Sequence, residues 1–138
     1  MLTISSRTDA ALRAVLALAR PGGGPADVTP VSGIAARTRL SRPFLQQVLL
    51  SLKHRGLVVS RAGRRGGYRL SKPANEISVG DVLRAMQGDL APMACASATG
   101  RAACPEAATC SLRPVWTRMR LAAEGVVDRV SIRSLAKR

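Results

Sequence analysis

Residues 28–70 read VTPVSGIAARTRLSRPFLQQVLLSLKHRGLVVSRAGRRGGYRL, and the fold turns on this stretch. Thr29 followed by Pro30 predicts an N-cap with proline at the first helical position, where its missing N–H costs nothing. Val31, Ile34 and Ala35 then supply one apolar face up to Thr38, and Leu40 plugs the turn that follows. Ser41 caps a second helix in which Phe44, Leu45, Val48, Leu49 and Leu52 recur at three- and four-residue spacing. That phase leaves Arg42, Pro43, Gln46, Gln47 and Lys53 facing outward. Gly56 ends the helix where a left-handed residue is wanted, with Lys53, His54 and Arg55 in the last turn, where cations suit the helix dipole. Leu57 to Val59 reads as a strand, 63–67 as a glycine-rich loop and Tyr68 to Leu70 as the returning strand. Helix, turn, helix and hairpin in this order predict a winged helix-turn-helix.

The same stretch carries Arg37, Arg39, Arg42, Lys53, Arg55, Arg61, Arg64, Arg65 and Arg69 without one Asp or Glu. Such a surface seeks phosphate. Across the chain, 22 Lys plus Arg stand against 8 Asp plus Glu, a net charge of +14 in 138 residues, which points to double-stranded DNA as the partner. Glutamine pairs with adenine and arginine with guanine in the major groove, so Arg42, Gln46 and Gln47 are the specificity candidates, flanked by Ser41 and Pro43. Arg61, Arg64, Arg65 and Gly66 at the hairpin tip suit a phosphate backbone or a minor groove, and Arg37 and Lys53 add charge.

On the N-terminal side, Ser5 or Ser6 caps a helix over about 8–19, with Leu12, Val15, Leu16 and Ala19 on its buried face and Asp9 in its first turn. Residues 21–25, PGGGP, form a loop. Beyond the wing, Ser78 with Asp81 three residues on makes a capping box for a short helix ended by Gly88. Residues 89–110 show no sustained period and read as a loop with at most one short turn. From Ser111 the period returns, and Leu112, Val115, Trp116, Met119, Ala122, Ala123, Val126, Val127 and Val130 stripe a helix of about twenty residues. Ser131 caps a final piece over 132–135, and Lys137 and Arg138 fray. The expected division is therefore a DNA-binding domain over 1–88, a cysteine-bearing loop over 89–110, and a striped helix with its tail over 111–138, the stripe to be buried by its own domain or by a second copy, as a dimerisation helix. The fold class is mostly α with a small β wing.

All three cysteines, Cys95, Cys104 and Cys110, fall in that one loop. Thiolates with small and helix-breaking neighbours are placed to converge on a soft metal, iron or zinc, and the odd count argues against a disulfide framework. The one histidine, His54, belongs to the proposed reading helix and Glu106 lies within the loop.

The segments SRPFLQQVLLSLKHRGLV, RAGRRGGYRLSKP and ISVGDVLRAMQG, followed by a cysteine-bearing loop and a C-terminal helix, resemble the IscR/NsrR-type, or Rrf-two, family of bacterial transcription regulators over nearly the whole chain. The resemblance implies a homodimer on a palindromic operator, its two reading helices about 34 Å apart. It also implies an iron–sulfur cluster, 2Fe-2S or 4Fe-4S, that senses iron, nitric oxide or redox state. The IscR-type histidine after the last cysteine is replaced here by Ser111, Leu112 and Arg113, whereas Thr8, Asp9, Ala10, Ala11, Leu12 and Arg13 match the context of the NsrR-type aspartate. Asp9, from the partner subunit, is thereby implied as the fourth ligand. The first cysteine spacing, eight intervening residues, is longer than that family's usual five. A cluster-free regulator answering a thiol oxidant or a metabolite shares every DNA feature and differs only at this loop.

Other classes fit poorly. There are no paired catalytic carboxylates, no phosphate loop and no nucleophile beside a base, so no enzyme and no small-molecule substrate are expected. With Phe44, Tyr68 and Trp116 as its only aromatics, the chain lacks a stacking platform for single strands. Basic residues interrupt every apolar run and Arg13 breaks the one candidate secretory core, which predicts a cytoplasmic protein without a membrane span.

Overall fold

The structure, a computed structural model, describes residues 3–20, 27–99 and 104–136. The expected loop over 21–25 and the terminal Lys137 and Arg138 lie outside the described residues. Helix α1 spans Ser6–Ala19, α2 Val31–Thr38 and α3 Arg42–His54; strands β1 Val58–Arg61 and β2 Gly67–Leu70 form the wing; α4 spans Val79–Gln87, α5 Arg113–Val127 and α6 Ile132–Ala136. Short 3-10 turns occupy Ala74–Glu76 and Ala94–Ala96.

Helix α1 is the centre of the core, packed by α2, α3, α4 and α6. Its buried residues are Thr8, Ala10, Ala11, Ala14, Val15, Ala17 and Leu18, while Leu12, Leu16 and Ala19 are half-buried. The expected face thus packs on the core, Val15 fully and Leu12, Leu16 and Ala19 in part, and the alanines beside it are buried deeper. A helix wrapped on several sides needs small side chains where neighbours come close, and its alanines provide them. Ser5 caps it, the hydroxyl accepting from Thr8 N–H at 3.1 Å.

The wing is an antiparallel pair with Val58 opposite Leu70 and Arg61 opposite Gly67. A third piece of backbone joins it: Thr29 donates its N–H to Tyr68 O at 2.8 Å and accepts from Tyr68 N–H at 2.9 Å. Those bonds draw Thr29 out of the predicted cap role, and Pro30 takes the N-cap of α2 instead. The capping box of α4 forms as read, Ser78 N–H donating to Asp81 Oδ2 at 2.9 Å and Asp81 N–H to Ser78 Oγ at 3.0 Å.

Helix α5 has 15 residues rather than about twenty. Pro114 is tolerated only in a first turn, so it fixes the start close to Arg113. None of its residues is fully buried. The chain then returns to the first domain: Ile132 is 0% exposed in the core, its N–H donates to Ile77 O at 2.8 Å, and Val79 N–H donates to Val130 O at 2.9 Å. The tail is therefore structurally part of the unit built by the first 88 residues. Ile132→Ala is expected to destabilise the fold by about 2–5 kcal/mol, the usual cost of such a cavity. Urea unfolding checks this, and a loss below ~0.5 kcal/mol, the range of surface substitutions, would mean that α6 is not a core element.

Candidate nucleic-acid interface and cysteine segment

Helix α3 has a dry side and a wet side. Leu45, Val48, Leu49 and Leu52 are each 0% exposed, packed against α1 and the wing. Ser41, Arg42, Pro43, Gln46, Gln47, Lys53 and His54 are exposed, as their phase predicts. Leu50, 48% exposed, shares that open side one turn beyond Gln46 and Gln47. Sequence reasoning passed over it, although it falls off the 45–48–49–52 stripe. An apolar side chain there suits the methyl group of thymine. The helix is tied to α1 by Arg7, whose Nη2 donates to Ser51 Oγ at 2.6 Å while Ser51 Oγ donates to Gln47 O at 3.2 Å.

Arg61, Arg64 and Arg65 are exposed around the wing tip. Gly66 N–H closes the tip by donating to Gly63 O at 3.0 Å, and any Cβ on Gly66 would overlap the carbonyl oxygen of Arg61. Glycine is therefore required there by the hairpin itself. Arg37 stands differently from the other site candidates. Its Nη1 donates to Ala17 O at 2.9 Å, anchoring α2 on the C-terminal end of α1. Turning the chain from α2 into α3 puts Arg39 at φ 58°, a left-handed conformation unusual outside glycine.

Acidic residues do their work elsewhere. Asp9 pairs with Arg13 at 2.8 Å, Glu124 with Arg120 at 2.8 Å and Asp128 with Arg84 at 2.6 Å. The hydrogen bond and charge of Asp128 hold the Arg84 guanidinium even more firmly protonated than usual. Burial alone would raise the Asp81 carboxyl, but the hydrogen bonds from Ser78 and the charges of Lys72 and Arg84 outweigh it and hold the group below its ordinary value. Asp89 is likewise lowered: burial opposes, and hydrogen bonds from Ser97, Ala98 and Ala91 with the charge of Arg120 prevail. The positive field of α3 and the wing is left undiluted.

Cys95 lies half-buried in the 3-10 turn, Cys104 is exposed, Cys110 is half-buried, and all three are free thiols. Ala107 N–H donates to Cys104 O at 3.1 Å and Cys110 N–H to Glu106 O at 2.9 Å, so these two cysteines bracket one compact turn. Among the described residues no three His, Cys, Asp or Glu side chains gather closely enough to hold a metal ion. Asp9, its side chain 51% exposed on α1, belongs to no such group within one chain. No helix among the described residues is long and apolar enough to cross a membrane.

A family model described as Rrf2, iron-dependent transcriptional regulator, matches residues 4–138. A chain of Mycobacterium tuberculosis (strain ATCC 25618 / H37Rv), named as a candidate HTH-type transcriptional regulator, is 32% identical over 136 residues, 98% of this chain and 81% of its own. The HTH-type transcriptional regulator CymR of Bacillus subtilis (strain 168) is 30% identical over 136 residues, 98% of this chain and 90% of its own. A solved structure of CymR, described as the global cysteine regulator of B. subtilis, superposes with a TM-score of 0.75 at 29% identity, covering 99% of this chain and 98% of that one. The structure of T. potens IscR gives 0.73 at 26% identity, covering 99% and 87%.

Proposed function

The chain belongs to the Rrf2 family of transcriptional regulators, and on that premise we propose that it grips a palindromic DNA operator as a homodimer under the control of its cysteine segment. The observation that carries the DNA half is the segregation of charge: one open face of α3 and one wing tip that carry cations and no acid, on a chain whose acids lie elsewhere. Arg42, Gln46 and Gln47 read bases in the major groove, with Ser41 and Pro43 at the helix entry. Lys53, Arg61, Arg64 and Arg65 hold phosphates, Gly66 lets the wing tip close, and Arg37 adds charge from its anchored position.

The dimer is carried by α5. Leu112, Val115, Met119 and Val126 are all exposed and, with Ala122, repeat at the three-four spacing of a coiled-coil seam. A second copy of the helix covers that seam and presents the two copies of α3 to successive half-sites.

Control by an iron–sulfur cluster, 2Fe-2S or 4Fe-4S, is the finer part of the proposal. The donor set fits by its chemistry: three free thiols within one segment, with Asp9 of the partner subunit as an oxygen ligand. Such a group supplies a centre whose gain or loss follows iron and redox conditions. Cys95, Cys104 and Cys110 hold it and, through the loop they share, tie its presence to the start of α5. A second reading, a cluster-free regulator answering thiol oxidation or a metabolite, draws on the absence of a gathered ligand set among the described residues and on the likeness to CymR. Iron and sulfide analysis of anaerobically purified protein separates the two.

Arg64→Ala tests the interface. It is expected to weaken binding to every duplex and to lower the slope of log affinity against log salt by about one unit. Gln46→Ala is expected instead to relax preference at one base position, costing about 1–3 kcal/mol on the best site. Fluorescence anisotropy over a salt series reads both, and an unchanged slope in Arg64→Ala would remove the wing from the interface.

A further inference from the structure

The part of the cysteine segment that carries Cys95 is folded by polar contacts of its own. The Asp89 carboxylate accepts from Ser97 Oγ at 2.6 Å, from Ala91 N–H at 2.9 Å and from Ala98 N–H. Leu90, Ala91 and Ala96 are buried around this hub. Two guanidiniums of α5 then close over it. Arg113 Nε donates to Cys95 O at 3.2 Å, and Arg120 Nε donates to Ala96 O at 2.8 Å. Seven residues apart, the two arginines lie two turns from each other on one side of α5. Arg120 is the more fixed, its Nη1 held by both oxygens of Glu124 at 3.0 and 2.8 Å in a pair whose side chains are only 14% and 21% exposed. Arg113 also reaches Ala107 O with Nη1 at 3.5 Å, so one side chain touches the turn of Cys95 and the turn between Cys104 and Cys110.

We propose that Arg113 and Arg120 are positioning residues, a latch through which the chemical state of the Cys95 thiol sets the seating of α5. The proposal rests on cysteine control as read above and names how that control reaches the DNA-binding unit. The two carbonyls gripped belong to Cys95 itself and to the next residue. Ligation or capping of the sulfur that turns the peptide between them takes both acceptors away from α5 together. From α5 the connection is direct: Asp128, just past its end, pairs with Arg84 of α4 at 2.6 Å, and Ile132 lies in the same core as the buried face of α3. Gly80 makes room for that pair, since a Cβ there would overlap Asp128 Oδ1. A shift of α5 therefore moves the helix that the two subunits share relative to the reading helices.

The test compares wild type with Arg113→Gln/Arg120→Gln on a duplex selected from a random-sequence pool. Each protein is measured with its thiols free and after capping by N-ethylmaleimide, which adds the thiol across its double bond and needs no other reactant. Wild-type affinity is expected to change on capping by about 5–150-fold, the usual span of coupling between sites. The double variant, whose α5 is released from the start, is expected to bind with about the affinity of capped wild type even while its thiols are free, and to change by less than about twofold on capping. That ratio is a readout a merely structural role would not move. A double variant that responds as strongly as wild type overturns the latch and leaves cysteine control standing, whereas an unresponsive wild type overturns both. Should the double variant fold poorly, Arg120→Lys keeps the charge beside Glu124 and loses the planar donor fork. A response clearly below wild type then supports the latch, and one equal to wild type overturns it.

Discussion

Gly67→Ala is expected to strip the wing from DNA while leaving the helices folded. Gly67 has φ 155°, and a Cβ on it would overlap the carbonyl carbon and oxygen of Thr29. Both are backbone atoms, fixed by the two hydrogen bonds that Thr29 exchanges with Tyr68 and by the start of α2 two residues later. Nothing flexible is available to move aside. Losing that pair costs about 0.5–1.5 kcal/mol per hydrogen bond, within the 5–15 kcal/mol of a typical domain, so the core survives. The hairpin tip does not keep its aim, and Arg61, Arg64 and Arg65 leave their phosphates together. At about 0.9 per contact, the salt slope should fall by close to three units, against one for Arg64→Ala alone. Far-UV circular dichroism confirms the helices, and an unchanged slope in a folded variant would mean that the Thr29 bridge does not aim the wing.

Cys104→Ser should abolish iron and sulfide binding outright. Cys104 is exposed and belongs to no packed surface, so exchange of sulfur for oxygen leaves the core untouched, and the melting temperatures of the two metal-free proteins should agree within about 2 °C. The loss is chemical: a serine hydroxyl is a poor substitute for a thiolate at a soft centre. Anaerobically purified wild type is expected to be coloured, with the variant colourless and folded. A colourless wild type with three reactive thiols would favour the cluster-free regulator, and a coloured variant would remove Cys104 from the ligand set.

Elements set by short-range rules were legible in the sequence. The register of α3, the stop at Gly56 and the capping box of Ser78 and Asp81 depend on neighbours within four residues, and each stands where the pattern put it. What escaped was long-range. Thr29 was drawn to Tyr68 and away from its local cap role, and Ser131 pairs with Ser78 across the fold, so α6 seats in a core begun more than a hundred residues earlier. The stripe of Leu12, Val15, Leu16 and Ala19 is only part of the buried surface of α1, because a helix contacted by four others also buries its alanines, which no single apolar stripe marks. The turn around Cys95 has no periodicity at all. It is organised by one carboxylate and two guanidiniums reaching backbone atoms, contacts that leave no spacing signature. The three cysteines announced themselves by their clustering, and the means of linking them to α5 did not.

On the function proposed above, cysteine state governs the grip of α3 and the wing on DNA. The most direct test is one titration in duplicate: a selected duplex against anaerobic protein loaded with iron and sulfide, then against the same preparation stripped of both. The expected result is a change in affinity of about 5–150-fold between the two forms, with the salt slope retained in whichever form binds. Equal affinity in the loaded and stripped forms, or no binding to any duplex by either, would contradict it.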